Sequence, residues 1–323
     1  MTLILHIILL AGGLVILWKC AELLVAGAVG LARMLGVSSL VVGLTVVAMG
    51  TSAPEVAASI AGVLQKAGGG DIAVGNVFGS NIANLALVGG LIAIIRPLRV
   101  QRKTLFREIP VMLAVALLLW PFLHNRQLSR PEAAILLAVF AVLIILTVYS
   151  ARQESKLAIL QSESSEQDVK QTRSKKKNIL LVLIGLAGLA IGAKMAVQGA
   201  VFVGFTIGLS KGVIALTIIA FGTSLPELVT CVVAAIKGHH DISVGNLVGS
   251  NIFNTLLVTG AAGVVRPFDI GPRLAGGVDY WIMIAVSAAF AILIIIGKRV
   301  LGRRSGLLLV CSYIGYIIYL LSV

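Results

Sequence analysis

GTSAPE, Gly50 to Glu55, and GTSLPE, Gly222 to Glu227, each interrupt an apolar stretch long enough to cross a bilayer. Each break places a carboxylate at membrane depth. Ionisable side chains there are costly and mark ion or substrate pathways, and interrupted segments at matching positions of two halves point to a transporter site. Proline has no amide hydrogen and its ring clashes with the carbonyl four residues back, so Pro54 frees the carbonyl of Gly50 and Pro226 that of Gly222. Oxygens freed in lipid are tolerated where protein or a wet cavity supplies a partner, and a cation attracted by the neighbouring glutamate is such a partner. Thr51 and Glu55, like Thr223 and Glu227, are four residues apart, so hydroxyl and carboxylate share a helix face if the kink is modest.

The surrounding composition fixes the class. The 323 residues are 59% hydrophobic and 12% charged, with mean hydropathy +1.05, which excludes a soluble fold and indicates an all-α polytopic membrane protein. Apolar runs predict ten spans, near residues 4–34, 38–64, 71–95, 108–124, 131–150, 178–208, 212–236, 241–265, 277–297 and 305–322. The net charge of +13 reports topology, not a nucleic-acid partner. With the N-terminus outside, the inside loops hold 18 Lys and Arg against 6 in the outside loops, so both termini are expected outside. The opening MTLILHIILLAGG lacks a basic n-region and a cleavage site and reads as a retained first span. Cys20, Cys231 and Cys311 lie in apolar stretches at unrelated spacings and read as small buried residues, not as a disulfide framework or metal motif.

The two halves are repeats. From Gly27 to Glu55 the second half aligns without a gap at an offset of 172, with Gly36 meeting Gly208 and Glu55 meeting Glu227. After a two-residue slip, DIAVGNVFGSNIAN at Asp71–Asn84 meets DISVGNLVGSNIFN at Asp241–Asn254, and Arg96-Pro97 meets Arg266-Pro267. Five spans per copy force the second to enter the membrane in the opposite sense. The domains are therefore expected as a first repeat at 1–150, a flexible cytoplasmic linker at 151–177 rich in Gln, Ser, Glu and Lys, and a second, inverted repeat at 178–323.

The second element of each repeat supplies neutral oxygen. Asn76, Ser80 and Asn84 fall at i, i+4 and i+8, and Asn246, Ser250 and Asn254 repeat the row. Gly75 and Gly79, like Gly245 and Gly249, have the spacing that lets another backbone approach. Asn81 and Asn251 lie off the stripe and suit packing or hydrogen bonding as well as a cation role. Carboxylates, hydroxyls, amides and backbone oxygens suit calcium, magnesium or sodium, and a flexible oxygen set favours calcium over magnesium.

GTSxPE followed by GNxxGSNxxN, present twice in inverted halves, resembles the alpha-repeats of the calcium/cation antiporter superfamily, closest to its prokaryotic sodium/calcium exchanger branch. The resemblance implies a ten-helix, two-repeat exchanger fold. In it the second, third, seventh and eighth helices enclose adjacent sodium and calcium sites near the midplane, and the long first and sixth helices slide across them. It also implies Glu55 and Glu227 as calcium-bridging carboxylates with Thr51 and Thr223 nearby. Ser52, Ser80, Ser224 and Ser250, with carbonyls around Ala48 and Ala220, would serve flanking sodium sites, and Asn84 and Asn254 would complete the centre. Several relatives carry aspartate at the position of Asn254, so potassium dependence is not expected here. The implied function is sodium-for-calcium antiport without enzymatic activity or cofactor. The partners are the lipid bilayer and the two ions, not nucleic acid, with the chain acting as a monomer in a prokaryotic inner membrane. Proton/calcium and potassium-dependent exchange are the alternatives.

Other charged and aromatic positions carry plainer readings. Lys19 and Glu22 are spaced for a local pair, and Lys194 occupies the Glu22 position of the second copy. His239 and His240 read as a solvated cytoplasmic pair, Lys175 to Lys177 as a positive-inside anchor, and Tyr313 to Tyr319 as an interfacial aromatic anchor.

Overall fold

The structure, a computed structural model, describes residues 3–65, 68–161, 174–208 and 220–322. Helix α1 spans Leu3–Leu35, and α2 runs Ser39–Thr51 and then Ala53–Val63, bent by 42° at the break. Next come α3 at Gly69–Ile95, α4 at Thr104–Leu123 and α5 at Arg130–Gln161. The second copy has α6 at Lys175–Thr206, α7 at Ala220–Thr223 and Leu225–Ile236, α8 at His240–Val265, α9 at Val278–Ile296 and α10 at Arg303–Ser322. Among the described residues eight helices are long and apolar enough to cross a membrane, and the bent α2 makes nine. This agrees with the expected architecture; the tenth span, around α7, draws on 209–219, outside the described residues.

Local sequence explains the boundaries. Glu132 makes one half of a capping box at the start of α5, with the Ser129 amide and hydroxyl donating to its Oε2 at 2.8 and 2.6 Å. Helix α5 then continues to Gln161, and α6 already begins at Lys175, so both enter the segment expected as a flexible linker. The physical reason is cooperativity: Glu, Lys, Ala and Leu at 154–160 are good helix formers that extend an existing helix without a new nucleation cost. The rest of that segment, 162–173, lies outside the described residues.

Helices α1 and α6 pack along a glycine seam. A Cβ at Gly192 would stand 2.9 Å from the Gly13 carbonyl and the Leu17 amide, one at Gly185 would meet Leu24 at 2.8 Å, and one at Gly199 would meet the His6 carbonyl at 2.5 Å. The rings of His6 and Phe202 stack at 3.6 Å across the same seam. Such spacing lets long helices lie in backbone contact. The motif glycines face α6 as well: a side chain at Gly50 would strike Leu186, and one at Gly222 would strike Val197.

The two copies finish each other's ends. Strand β1, Leu98–Arg99, pairs antiparallel with β4, Val300–Leu301, and β2, Gln127–Leu128, pairs with β3, Phe268–Asp269. Arg266 Nη1 donates to the carbonyls of Val63, Leu64 and Gln65 at 3.3, 3.5 and 3.3 Å, closing the C-terminus of α2. Its repeat-mate Arg96 donates to the Ile236 carbonyl at the C-terminus of α7.

Two expectations need correction and a third is extended. Of the cysteines, Cys231 is buried, but Cys20 is partly exposed and Cys311 exposed on the outer face of α10, where lipid accepts a small apolar residue as readily as a core does. The aromatic end of α10 turns partly inward: Tyr316 is buried and its hydroxyl meets Asp279 Oδ1 at 3.3 Å, because the polar tip finds a partner in the Arg273–Asp279 ion pair of 2.6 Å. Glu22 pairs locally with Lys19 at 3.3 Å as expected, and also with Lys237 at the end of α7, at 3.2 Å.

Candidate cation site

The breaks in the two motif helices have the same backbone. Ser52 has φ −86° and ψ 7°, and Ser224 has φ −86° and ψ 2°. Each serine leaves the helix for one residue, and the proline two positions on starts the next segment, where its missing donor costs nothing. Glu55 and Glu227 thus sit in the first turn of a new helix, at its positive end. Both carboxylates are fully buried, at 0% and 1% exposure.

Thr51, Ser52, Ser80, Asn84, Ser224, Ser250 and Asn254 are likewise buried, and Thr223 is half-buried. Ser52 Oγ donates to Glu227 Oε1 at 2.9 Å, a bond between the two copies. The Ala48 carbonyl accepts the Ser52 amide at 3.0 Å; Ala220, its repeat-mate, begins the described part of α7. Thr51 does not turn to Glu55 as its spacing suggested. The 42° bend takes the hydroxyl off that face, and it donates to Asn246 Oδ1 at 3.2 Å instead.

Asn84 and Asn254 each lie at the start of a π-helical turn, Asn84 as the second residue of Ala83–Val88 and Asn254 as the first of Asn254–Val258. A third such turn, Gly43–Val47, lies in α2. These insertions shift helix register at functional positions, and the periodicity of the sequence carries no sign of them. Close packing positions the stripe: a Cβ at Gly245 would lie 2.7 Å from the Leu40 carbonyl, and one at Gly249 would lie 2.6 Å from the Leu44 carbonyl. The segment corresponding to Leu40–Leu44 in α7, 212–216, lies outside the described residues. Asn81 Nδ2 donates to Thr255 Oγ1 at 3.0 Å and Asn251 Nδ2 to the Leu247 carbonyl at 2.7 Å, while the Oδ1 of each has no hydrogen-bond partner among the described residues.

The centre is rich in unmatched oxygen. Both carboxylate oxygens of Glu55, Glu227 Oε2, Ser224 Oγ and the side-chain amides of Asn84 and Asn254 have no hydrogen-bond partner among the described residues. Neither glutamate has a basic partner among them. A buried carboxylate left in that condition costs several kcal/mol, so a mobile cation is the partner that the donor set fits. No cluster of three or more His, Cys, Asp or Glu suited to a softer metal occurs among the described residues. Burial is unequal between the copies: Thr51 and Asn246 are buried, while Thr223 and Asn76 are partly exposed. Ser52 reaches the opposite glutamate, whereas Ser224 does not reach Glu55.

Two inverted sets of helices, each carrying a broken helix with an unpaired carboxylate to one buried centre, define a cation antiporter embedded in the membrane. The chain belongs to the sodium/calcium exchanger protein family, whose model matches residues 5–149 and again 177–322. It is 39% identical to the putative antiporter CaxA of Alkalimonas amylolytica over 94% of this chain and 95% of that one. It is 33% identical to the sodium/calcium exchanger MaX1 of Methanosarcina acetivorans over 98% of both chains. Among solved structures, the sodium-calcium exchanger NCX_Mj, soaked with sodium and calcium, superposes with a TM-score of 0.81 at 28% identity, covering 98% of each chain.

Proposed function

We propose that the protein exchanges sodium for calcium by alternating access, with calcium and sodium competing for overlapping places at the centre. The observation that carries this reading is the pair of buried glutamates whose remaining oxygens have no partner among the described residues. Two carboxylates neutralise one calcium, and the oxygens of Thr51, Thr223, Asn84 and Asn254 extend its shell. Ser52, Ser80, Ser224 and Ser250, with the Ala48 and Ala220 carbonyls, hold sodium ions on either side. Either filling restores neutrality, so the core moves when loaded with one ion type or the other, and the two fluxes are coupled.

The neutral amide of Asn254 leaves two acids at the centre, which argues against potassium dependence, and the many hydroxyls argue against proton coupling. On this reading the chain comprises a first repeat at 1–150, a linker at 151–177 and an inverted repeat at 178–323. It works as a monomer in a prokaryotic plasma membrane with both termini outside, a placement that rests on the basic residues of the loops. The half-exposed Thr223 and Asn76 would then mark the outer entrance.

Proteoliposomes loaded with sodium test the function directly. An outward sodium gradient is expected to drive calcium uptake, and a potassium or proton gradient alone is not. Calcium uptake that follows a pH step without sodium would replace this reading with proton/calcium exchange.

A further inference from the structure

The side-chain amide of Asn246 is fixed in one orientation by residues behind it. Its Nδ2 donates to Cys231 Sγ at 3.2 Å, and the Cys231 thiol donates to the Ser243 carbonyl at 3.5 Å. That turns Oδ1 toward the centre, where it accepts the hydroxyl of Thr51 at 3.2 Å and that of Ser250 at 3.5 Å. A hydroxyl that gives its hydrogen to Asn246 presents lone pairs elsewhere, and lone pairs are what a hard cation takes. Were the amide reversed, its NH2 would face the same hydroxyls, and their hydrogens would turn toward the ion.

The first copy repeats the donor side of the arrangement with oxygen in place of sulfur. Ser59 aligns with Cys231, and Asn76 with Asn246. Asn76 Nδ2 donates to Ser59 Oγ at 2.9 Å and to the Glu55 carbonyl at 3.1 Å, while the Ser59 hydroxyl donates to the Ala73 carbonyl at 3.3 Å. Neither Ser59 nor Cys231 belongs to the ion-binding set, and both are fully buried.

We propose that Ser59 and Cys231 are positioning residues for ion selectivity: they lock the amides of Asn76 and Asn246 so that the hydroxyls lining the centre point their hydrogens away from the cations. The inference rests on the proposed role of those hydroxyls as ligands. A thiol accepts a hydrogen bond more weakly than a hydroxyl does, so the Asn246 side is held less firmly, and the sodium place beside Ser250 is the more sensitive to change.

The test titrates bound radioactive calcium off the purified full-length protein with sodium, alongside thermal melting. Cys231→Ala is expected to raise the sodium concentration for half-displacement about fivefold, the effect of one modest hydrogen bond. Cys231→Ser, which keeps a donor and a stronger acceptor, should match or improve on the parent. An unchanged sodium titration in Cys231→Ala, or equal impairment in the Ala and Ser variants, overturns the proposal. Ser250→Ala separates the two readings. If it shifts the titration and Cys231→Ala does not, the positioning role falls alone; if Ser250→Ala shifts nothing, the ligand assignment itself falls.

Discussion

Ser52 and Glu227 stand 175 positions apart in the chain and meet at 2.9 Å, so the helix break of one copy donates to the carboxylate of the other. Hydrogen bonds to charged groups contribute about 1.5–3 kcal/mol. In Ser52→Ala, sodium-driven calcium exchange is expected to fall about tenfold or more while the protein still purifies as a folded monodisperse species. Flux at the parental rate would show that this contact has no part in exchange.

Glu55→Gln and Glu227→Gln keep side-chain shape and remove charge. Each is expected to abolish calcium exchange, with helical circular dichroism unchanged and melting temperature equal to or above the parent, since a buried unpaired charge has been removed. Radioactive calcium uptake into vesicles is the measurement, and retained exchange in both variants would refute the site.

The architecture was legible because its signals are local and repeated: apolar runs of membrane length, and two motif copies that align by counting. Glu55 and Glu227 stand out for the same reason, as carboxylates at matched breaks. What the sequence conceals is geometry that depends on register. The π-helical turns at Asn84 and Asn254 leave the periodicity looking normal, so the helix faces beyond them are misassigned by spacing alone. Thr51 turned to Asn246 and not to Glu55 because a bend at one residue moves a face. The link between Cys231 and Asn246 has a signal in hindsight: a cysteine aligned with a serine at a buried position of both copies.

The seam between α1 and α6 is tight enough to be broken by one side chain. Gly192→Leu drives new atoms into the Gly13 carbonyl and the Leu17 amide, each 2.9 Å from the added Cβ. Overpacking of this kind costs about 1–3 kcal/mol. The melting temperature and the exchange rate are both expected to drop, and an unchanged melting curve in detergent would contradict the packing described.

The arginine caps offer a paired test. Arg266→Ala leaves three carbonyls at the end of α2 without their donor, and Arg96→Ala removes the donor to Ile236. A loss of about 1–3 kcal/mol of stability is expected for Arg266→Ala, with a smaller loss for Arg96→Ala. Hydrogen exchange should locate the loosened amides at residues 63–65 and 236–238. Arg266→Lys is expected to recover part of the loss, because the three contacts run from one nitrogen and an ammonium carries three donors on one nitrogen.

His239 lies in the loop before α8, and burial first, then Arg33 and Lys237, hold its imidazole below the usual pKa. The folded protein therefore binds this proton less readily than the unfolded chain does. The stability associated with the neutral ring is present at high pH and is lost as pH falls below about 6.5. A melting series from pH 8 to 5 should show a downward slope that is shallower in His239→Gln, and identical slopes would remove His239 from the account.

The unequal burial of matched residues has a consequence for energetics. If the second conformation arises by giving each copy the contacts of the other, Thr223 and Asn76 become enclosed while Thr51 and Asn246 open. With identical copies those two arrangements would be degenerate, and the resting population would divide evenly. Here they are not identical: Cys231 stands opposite Ser59, and Lys194 stands where Glu22 binds Lys237. The Glu22–Lys237 pair has no counterpart at Lys194, and the thiol and hydroxyl contacts of Cys231 and Ser59 differ in strength, so the two arrangements differ in energy. On the proposed reading, positions at which the two copies differ, these among them, act as weights on a balance that decides which side of the membrane the empty carrier faces.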